Sequence, residues 1–212
     1  RGDKNTRRGC MSVQKTLEYY NRNAREFAEG TSGVDFSGIQ NRFLSHLPEG
    51  ALILDFGCGS GRDTRYFLGK GFRVEAADGS EELCRLASVY TGIPVKQMLF
   101  QELEETEKYD GIWACASILH LRREELPEVF RKMYRALKPG GILYVSFKYG
   151  DFEGERNGRY FTDMTEKTAE ELLESVPELK IKERWVTGDV RAGRGAEKWL
   201  NMILRRSDTC WR

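Results

Sequence analysis

The stretch Leu52-Ile53-Leu54-Asp55-Phe56-Gly57-Cys58-Gly59-Ser60-Gly61-Arg62 decides the fold. Its apolar half has the length and composition of a buried parallel strand, and its glycine half those of a tight turn that opens a helix. Strand, glycine turn and helix in that order bring backbone close to a ligand at the carboxyl edge of a sheet. Spacing then separates ligand classes. Dinucleotide-binding folds carry GxGxxG, whereas Gly57, Gly59 and Gly61 read GxGxG, preceded by Asp55 at the strand end. A carboxylate at Asp55 opposes a pyrophosphate and suits a ligand with an ammonium group. Asp78 ends the next apolar run, about 20 residues on, where a carboxylate accepts hydrogen bonds from ribose hydroxyls. In the competing reading, Asp55 caps one turn and Asp78 starts another.

Outward from this stretch, apolar runs alternate with helical patterns. An amphipathic stretch at 17–28 and a short helix before Pro48 precede it. Residues 62–70 read as helix stopped at Gly71, 72–77 as a second strand, and Ser80 caps a helix to about Tyr90, with Glu81 and Glu82 at its positive end. Strands follow at 94–100, 112–116 and 142–147, with a helix at 124–137 ended by Pro139-Gly140-Gly141. This alternation implies an α/β, doubly wound and mostly parallel sheet with helices on both faces. The tail differs: one helix at 166–175, then extended runs at 180–187 and 198–205 with no helix between them, expected as an antiparallel pair at a sheet edge.

From about Leu52 to Lys148 the sequence resembles the class I S-adenosylmethionine (SAM)-dependent methyltransferases. Asp55-Phe56-Gly57-Cys58-Gly59-Ser60-Gly61 is similar to that family's first motif, Asp78 to its second, and Leu137-Lys138-Pro139-Gly140-Gly141 to a later signature. The resemblance implies a seven-stranded Rossmann-like sheet, with the seventh strand antiparallel between the fifth and sixth. It implies SAM as cofactor and S-adenosylhomocysteine as product. Asp55, Gly57, Cys58, Gly59 and Gly61 would approach the methionine part, with Asp78 and Gly79 at the ribose and Ala114 and Cys115 along the same edge. Many relatives place an Asp after the third strand for the adenine amine. Here Leu99-Phe100-Gln101 stands there, so adenine recognition falls to backbone or Gln101, with Phe100 either on the ring or in the core.

Composition bounds the rest. The 212 residues fit one domain, and 40% hydrophobic and 32% charged residues are ordinary for a globular chain. A net charge of +1 gives no global pull toward nucleic acid or an anionic membrane, so nucleic acid is a disfavoured partner and membrane is excluded. No apolar run spans a bilayer. Cys10, Cys58, Cys84, Cys115 and Cys210 are scattered, which argues against a zinc ribbon, any metal site and a disulfide framework, and points to a reducing cytoplasm. Residues 1–11 read as a flexible tail or expression remnant, with Met11 as a candidate start, and 12–212 as one domain.

On the acceptor side, His120 follows the fourth strand and is the candidate proton-handling group; its competing role is to cap a turn or support the cofactor. Cys115 reads better as a buried thiol than as a nucleophile. The chain lacks the Asn/Asp-Pro-Pro-Tyr/Phe motif usual for methylation of base amines. The N-terminal helix offers Tyr19, Tyr20 and Phe27 as a lid. Lys148, Tyr149, Arg159 and Tyr160 in the insertion after the fifth strand, and Arg191 and Arg194 in the last turn, are expected to shape the acceptor pocket. Some of these cations would hold an anionic group of the acceptor, unless they are ordinary solvated charges. The preferred reading is methyl transfer to an oxygen, nitrogen or sulfur atom of a small molecule. The alternatives are an RNA (tRNA) methyltransferase and a non-catalytic SAM-binding partner subunit.

Overall fold

The computed structural model describes residues 4–191 and 193–207. Arg1, Gly2, Asp3 and Cys210 therefore lie outside the described residues. Six helices and nine strands follow in the order α1 (Lys4–Ser32), α2 (Ser37–Leu44), β1 (Leu52–Phe56), α3 (Arg62–Gly69), β2 (Arg73–Asp78), α4 (Glu81–Thr91), β3 (Val95–Gln97), β4 (Tyr109–Ala114), α5 (Leu126–Ala136), β5 (Leu137–Lys148), β6 (Glu153–Arg156), β7 (Arg159–Thr162), α6 (Glu166–Glu174), β8 (Leu179–Gly188) and β9 (Lys198–Arg206). Seven strands form one sheet in the order β3-β2-β1-β4-β5-β9-β8, with β9 antiparallel to both its neighbours.

Alternation along the strands divides the core in two. Leu54, Phe56, Ile112, Ala114, Leu143 and Val145 point to the face covered by Val129, Phe130 and Met133 of α5 and Leu172 and Leu173 of α6. Their neighbours Ile53, Trp113, Ile142 and Tyr144 point to the other face, against Phe43 and Leu44 of α2 and Phe67 of α3. There Trp113 stacks on Tyr144 with ring centroids 4.0 Å apart. Such a pair contributes about 0.5–1.5 kcal/mol beyond its buried area.

Several boundaries differ from those read in the sequence. β3 is only Val95–Gln97, and Phe100 opens a 3-10 turn, Phe100–Glu102, because Glu102 Oε2 accepts the Leu99 N–H (2.7 Å) and draws the chain out of the sheet. β4 begins at Tyr109 and ends at Ala114, before Cys115. α5 passes directly into β5: Leu137 pairs with Tyr109 and Ile142 with Gly111, so Lys138-Pro139-Gly140-Gly141 bulges from the ladder. α1 begins at Lys4 and includes most of the segment expected as a flexible tail; it kinks at Asn23 (φ −108°, ψ 16°), whose side-chain amide donates to Tyr19 O (2.8 Å). The insertion after β5 is a hairpin, β6–β7, turning at Asn157 (φ 49°) and Gly158 (φ 76°). Two consecutive positive φ values are what the Asn-Gly pair accommodates.

Candidate active site

A cleft runs along the carboxyl ends of the strands, from Asp78 on β2 across the glycine turn to Lys148 on β5 and Trp199 on β9. Antiparallel β9 starts at this edge, since Trp199 pairs with Lys148, and so the turn between β8 and β9 lies here too.

At the β2 end the glycine turn folds back on the sheet, with the N–H groups of Gly57 and Cys58 both donating to Ala77 O (2.8 and 2.9 Å). Gly57 has φ 82°, and a Cβ on it would stand 2.4 Å from Ser117 Cβ. The Gly59 N–H donates to Asp78 Oδ2 and the Ser80 N–H to Oδ1, each at 2.9 Å. The carboxylate thus accepts backbone N–H groups on both oxygens and keeps further acceptor capacity beside the cleft that Asp78 lines. Desolvation raises the Asp78 carboxyl above its ordinary range, against the lowering effect of the Ser80, Gly59 and Gly79 N–H groups. Cys58, Gly79, Phe100, Gln101 and Cys115 also line the cleft. The Phe100 ring sits 4.9 Å from that of Phe56, so one face is already taken by the core. Desolvation pushes the Cys115 thiol up to about 12, in keeping with an inert thiol.

Other expected site residues lie off the cleft wall or turn their side chains away from it. Asp55 is buried away from the cleft wall, accepting the Thr64 hydroxyl (2.6 Å) beneath the glycine turn. Desolvation, reinforced by the Asp63 charge, raises its carboxyl well above the usual range. Gly61 faces α4 instead: a Cβ there would meet Thr91 Cγ2 at 2.6 Å and Ala87 Cβ at 3.3 Å, so this glycine serves helix packing. Ala114 is the last residue of β4 and points into the core. Tyr149 is exposed, its hydroxyl on Glu166 Oε2 (2.7 Å). The Tyr160 hydroxyl donates to Glu153 Oε1 (3.0 Å) outside the cleft, and only its backbone carbonyl reaches the site.

Arg62 and Asp63 were not expected. Arg62 lines the cleft and grips Asp63 through Nε (2.9 Å) and Nη2 (3.1 Å). Gln40 Nε2 (2.6 Å) and Trp113 Nε1 (2.9 Å) fill the remaining capacity of Asp63. The carboxylate is therefore saturated and holds the guanidinium in place. The available signal was an Arg-Asp pair in the first turn after the glycine turn.

At the other end, His120 closes a short 3-10 turn, Ile118–His120. Its Nδ1 lies 2.7 Å from the Tyr160 carbonyl, which only accepts, so Nδ1 carries the proton and Nε2 accepts the Tyr20 hydroxyl at 2.8 Å. Desolvation lowers His120 to about 4, with the Arg159 and Lys148 charges acting in the same direction. Tyr20 Oη also receives Arg159 Nη1 (3.3 Å), and the Arg159 guanidinium lies over the rings of Tyr19 (4.5 Å) and Phe161 (5.1 Å). Lys148 pairs with Glu197 (2.9 Å). Arg191 Nε bonds Asp189 (2.9 Å), which also accepts Trp199 Nε1 (3.0 Å). Burial would raise Asp189, but the bonds from Arg191 and Trp199 hold it down at about 2. Arg194 lines the cleft and is exposed.

A doubly wound sheet with antiparallel β9 set between β5 and β8, and a glycine turn braced on an acid at the end of β2, is the Rossmann-like fold of the methyltransferase type. The comparisons agree. The family model described as a methyltransferase domain matches residues 53–141. That segment thus carries a methyltransferase domain, and SAM-dependent methyltransferases of known structure share this fold. It is 34% identical to YqeM of Bacillus subtilis (strain 168) over 141 residues, covering 55% of this chain and 57% of that protein. It is 30% identical to the N-terminal Xaa-Pro-Lys N-methyltransferase 1 of Rattus norvegicus over 128 residues, covering 54% and 57%. The chain thus spans a little over half the length of these curated relatives (57%). Its fold resembles that of the 1,6-didemethyltoxoflavin-N1-methyltransferase of Burkholderia thailandensis, solved with 1,6-didemethyltoxoflavin and S-adenosylhomocysteine (TM-score 0.74, 22% identity, 94% of this chain and 89% of that one). No helix among the described residues is long and apolar enough to cross a membrane.

Proposed function

We propose that this chain transfers the methyl group of SAM to an oxygen, nitrogen or sulfur atom of a small-molecule acceptor. The observation that carries this reading is the roof over the cleft. α1 lies along the cleft and is tied at three points from Thr16 onward: Thr31 Oγ1 donates to Ser60 Oγ of the glycine turn (3.1 Å), Ser80 Oγ to Asn21 Oδ1 (2.7 Å), and the Tyr160 N–H to Thr16 Oγ1 (3.1 Å). A covered cleft admits a small acceptor more readily than a folded RNA or protein surface.

The residues present fit the cofactor. Asp78, with acceptor capacity left beside the cleft, binds the ribose diol. Backbone of Gly57, Cys58 and Gly59 meets the methionine part, whose carboxylate falls to Arg62. Gln101 and Phe100 frame the adenine. When bound, SAM supplies an electrophilic methyl on a sulfonium, so most of the rate can come from alignment. Tyr20 and neutral His120 do the aligning, with the Tyr20 oxygen offered to the acceptor and His120 fixing its hydroxyl proton. At about 4, His120 is too weak a base to store a proton at neutral pH, and the reading requires an acceptor that ionises readily or carries a neutral lone pair.

The test is transfer of radiolabelled methyl from SAM into a cell extract split into small-molecule, RNA and protein fractions. Label among small molecules is expected. Label only in RNA or protein rejects the reading, and no label with a stoichiometric copurifying partner indicates a non-catalytic subunit.

A further inference from the structure

Among the part-buried cations at the acceptor end of the cleft, Arg159 stands apart; Arg194, in the turn between β8 and β9, is exposed to solvent. Lys148 is neutralised by Glu197 and Arg191 by Asp189, and Arg62 at the cofactor end by Asp63. Arg159 has no carboxylate partner among the described residues. Its hydrogen bond goes to the neutral Tyr20 hydroxyl, and its Nε is shut off from solvent with no partner. The side chain is nevertheless held firmly, lying over Tyr19 and Phe161 and set at the start of β7 by the Asn157-Gly158 turn. An uncompensated guanidinium in aromatic surroundings is costly unless an anion joins it. The walls beside it are flat: Tyr20, Phe161 and Trp199 all line the same end of the cleft.

We propose that Arg159 is the acceptor-specificity residue, receiving the carboxylate of a planar aromatic methyl acceptor whose ring lies among Tyr20, Phe161 and Trp199. This rests on the small-molecule reading above and narrows it to one chemical class. A guanidinium matches a carboxylate in charge and shape, and the aromatic walls favour a ring over an aliphatic chain. The carboxylate of the cofactor's methionine part does not compete for Arg159 in this arrangement, because Arg62 serves it at the other end.

The probes are hydroxybenzoates and aminobenzoates, each compared with its uncharged amide, by calorimetry on the full chain saturated with S-adenosylhomocysteine. At least one carboxylate is expected to bind tenfold or more tightly than its amide. R159Q should abolish that preference while leaving S-adenosylhomocysteine affinity within twofold, and R159K should restore part of it. Equal binding of acids and amides by the wild type overturns the inference without needing any variant, as does binding of none of them. A loss of S-adenosylhomocysteine affinity in R159Q also overturns it, since Arg159 would then serve the cofactor. The small-molecule reading fails separately, by label appearing only in RNA or protein.

Discussion

Half-buried Asp78 and fully buried Asp55, 23 residues apart in the same βαβ unit, have opposite prospects under mutation. Asp78→Ala should weaken SAM binding by about 1.5–3 kcal/mol, roughly ten- to hundredfold, because the ribose diol loses a charge-assisted acceptor. Calorimetry checks this, and unchanged affinity would mean the ribose lies elsewhere. Asp55 has a folded carboxyl raised by burial and by Asp63, so between its unfolded and folded values the native state binds more protons than the unfolded chain. Stability therefore falls as pH rises through that window. Asp55→Asn keeps an oxygen for the Thr64 hydroxyl and removes the ionisation, so it should raise Tm above neutral pH and leave it little changed at pH 4. His120 has the other sign. Its value is lowered to about 4, so below about 6.5 the unfolded chain takes up protons that the folded site refuses, and stability is lost as pH falls toward 4. His120→Gln should flatten that part of the Tm–pH curve.

At the scale of elements, the glycine turn is a joint among β1, α3 and α4 as much as a binding loop. Gly61 sits at φ 83° with its missing Cβ directed at Thr91 and Ala87. Gly61→Ala should destabilise the fold by about 1–3 kcal/mol, read from denaturant unfolding, through strain and overpacking together. The roof helix and the hairpin were only half legible. Leu17, Tyr20 and Phe27 carried an amphipathic signal that located a helix, but nothing local to them showed that Thr16, Asn21 and Thr31 tie it across the cleft. The hairpin had a usable cue in Asn157-Gly158. The strands on either side are four residues each, β6 charged and β7 a buried Tyr-Phe-Thr run, too short for an apolar alternation to mark them.

For the molecule as a whole, cofactor binding should show as ligand-linked stability. SAM at about 100 times its Kd adds roughly 2.7 kcal/mol, a shift of about 5–10 °C for a chain of this size. Thermal melts with SAM and with NAD test the glycine-spacing argument directly: a shift with NAD alone would overturn the family's cofactor here.

The elements of the sheet, the antiparallel finish and the identity of Asp78 and the Gly57–Gly59 backbone as cofactor candidates were legible in the chain, because each rests on local periodicity or on residues a few positions apart. Strand ends were less so. Phe100 left the sheet because a side chain two residues on captured its neighbour's N–H, a contact that hydrophobic pattern does not encode. Side-chain direction was decided by tertiary structure alone. Asp55 and Ala114 lie on the right strands but face the interior, since neighbouring residues on a strand point to opposite faces and burial selects which. Charge state was settled the same way: Lys148, Arg159 and Arg191 are equal cations in the sequence. Asp189, two positions before Arg191, was a local cue, but only the fold brings Glu197 to Lys148 and leaves Arg159 among aromatic rings, because ion pairing at a distance of tens of residues is a property of packing and not of sequence pattern.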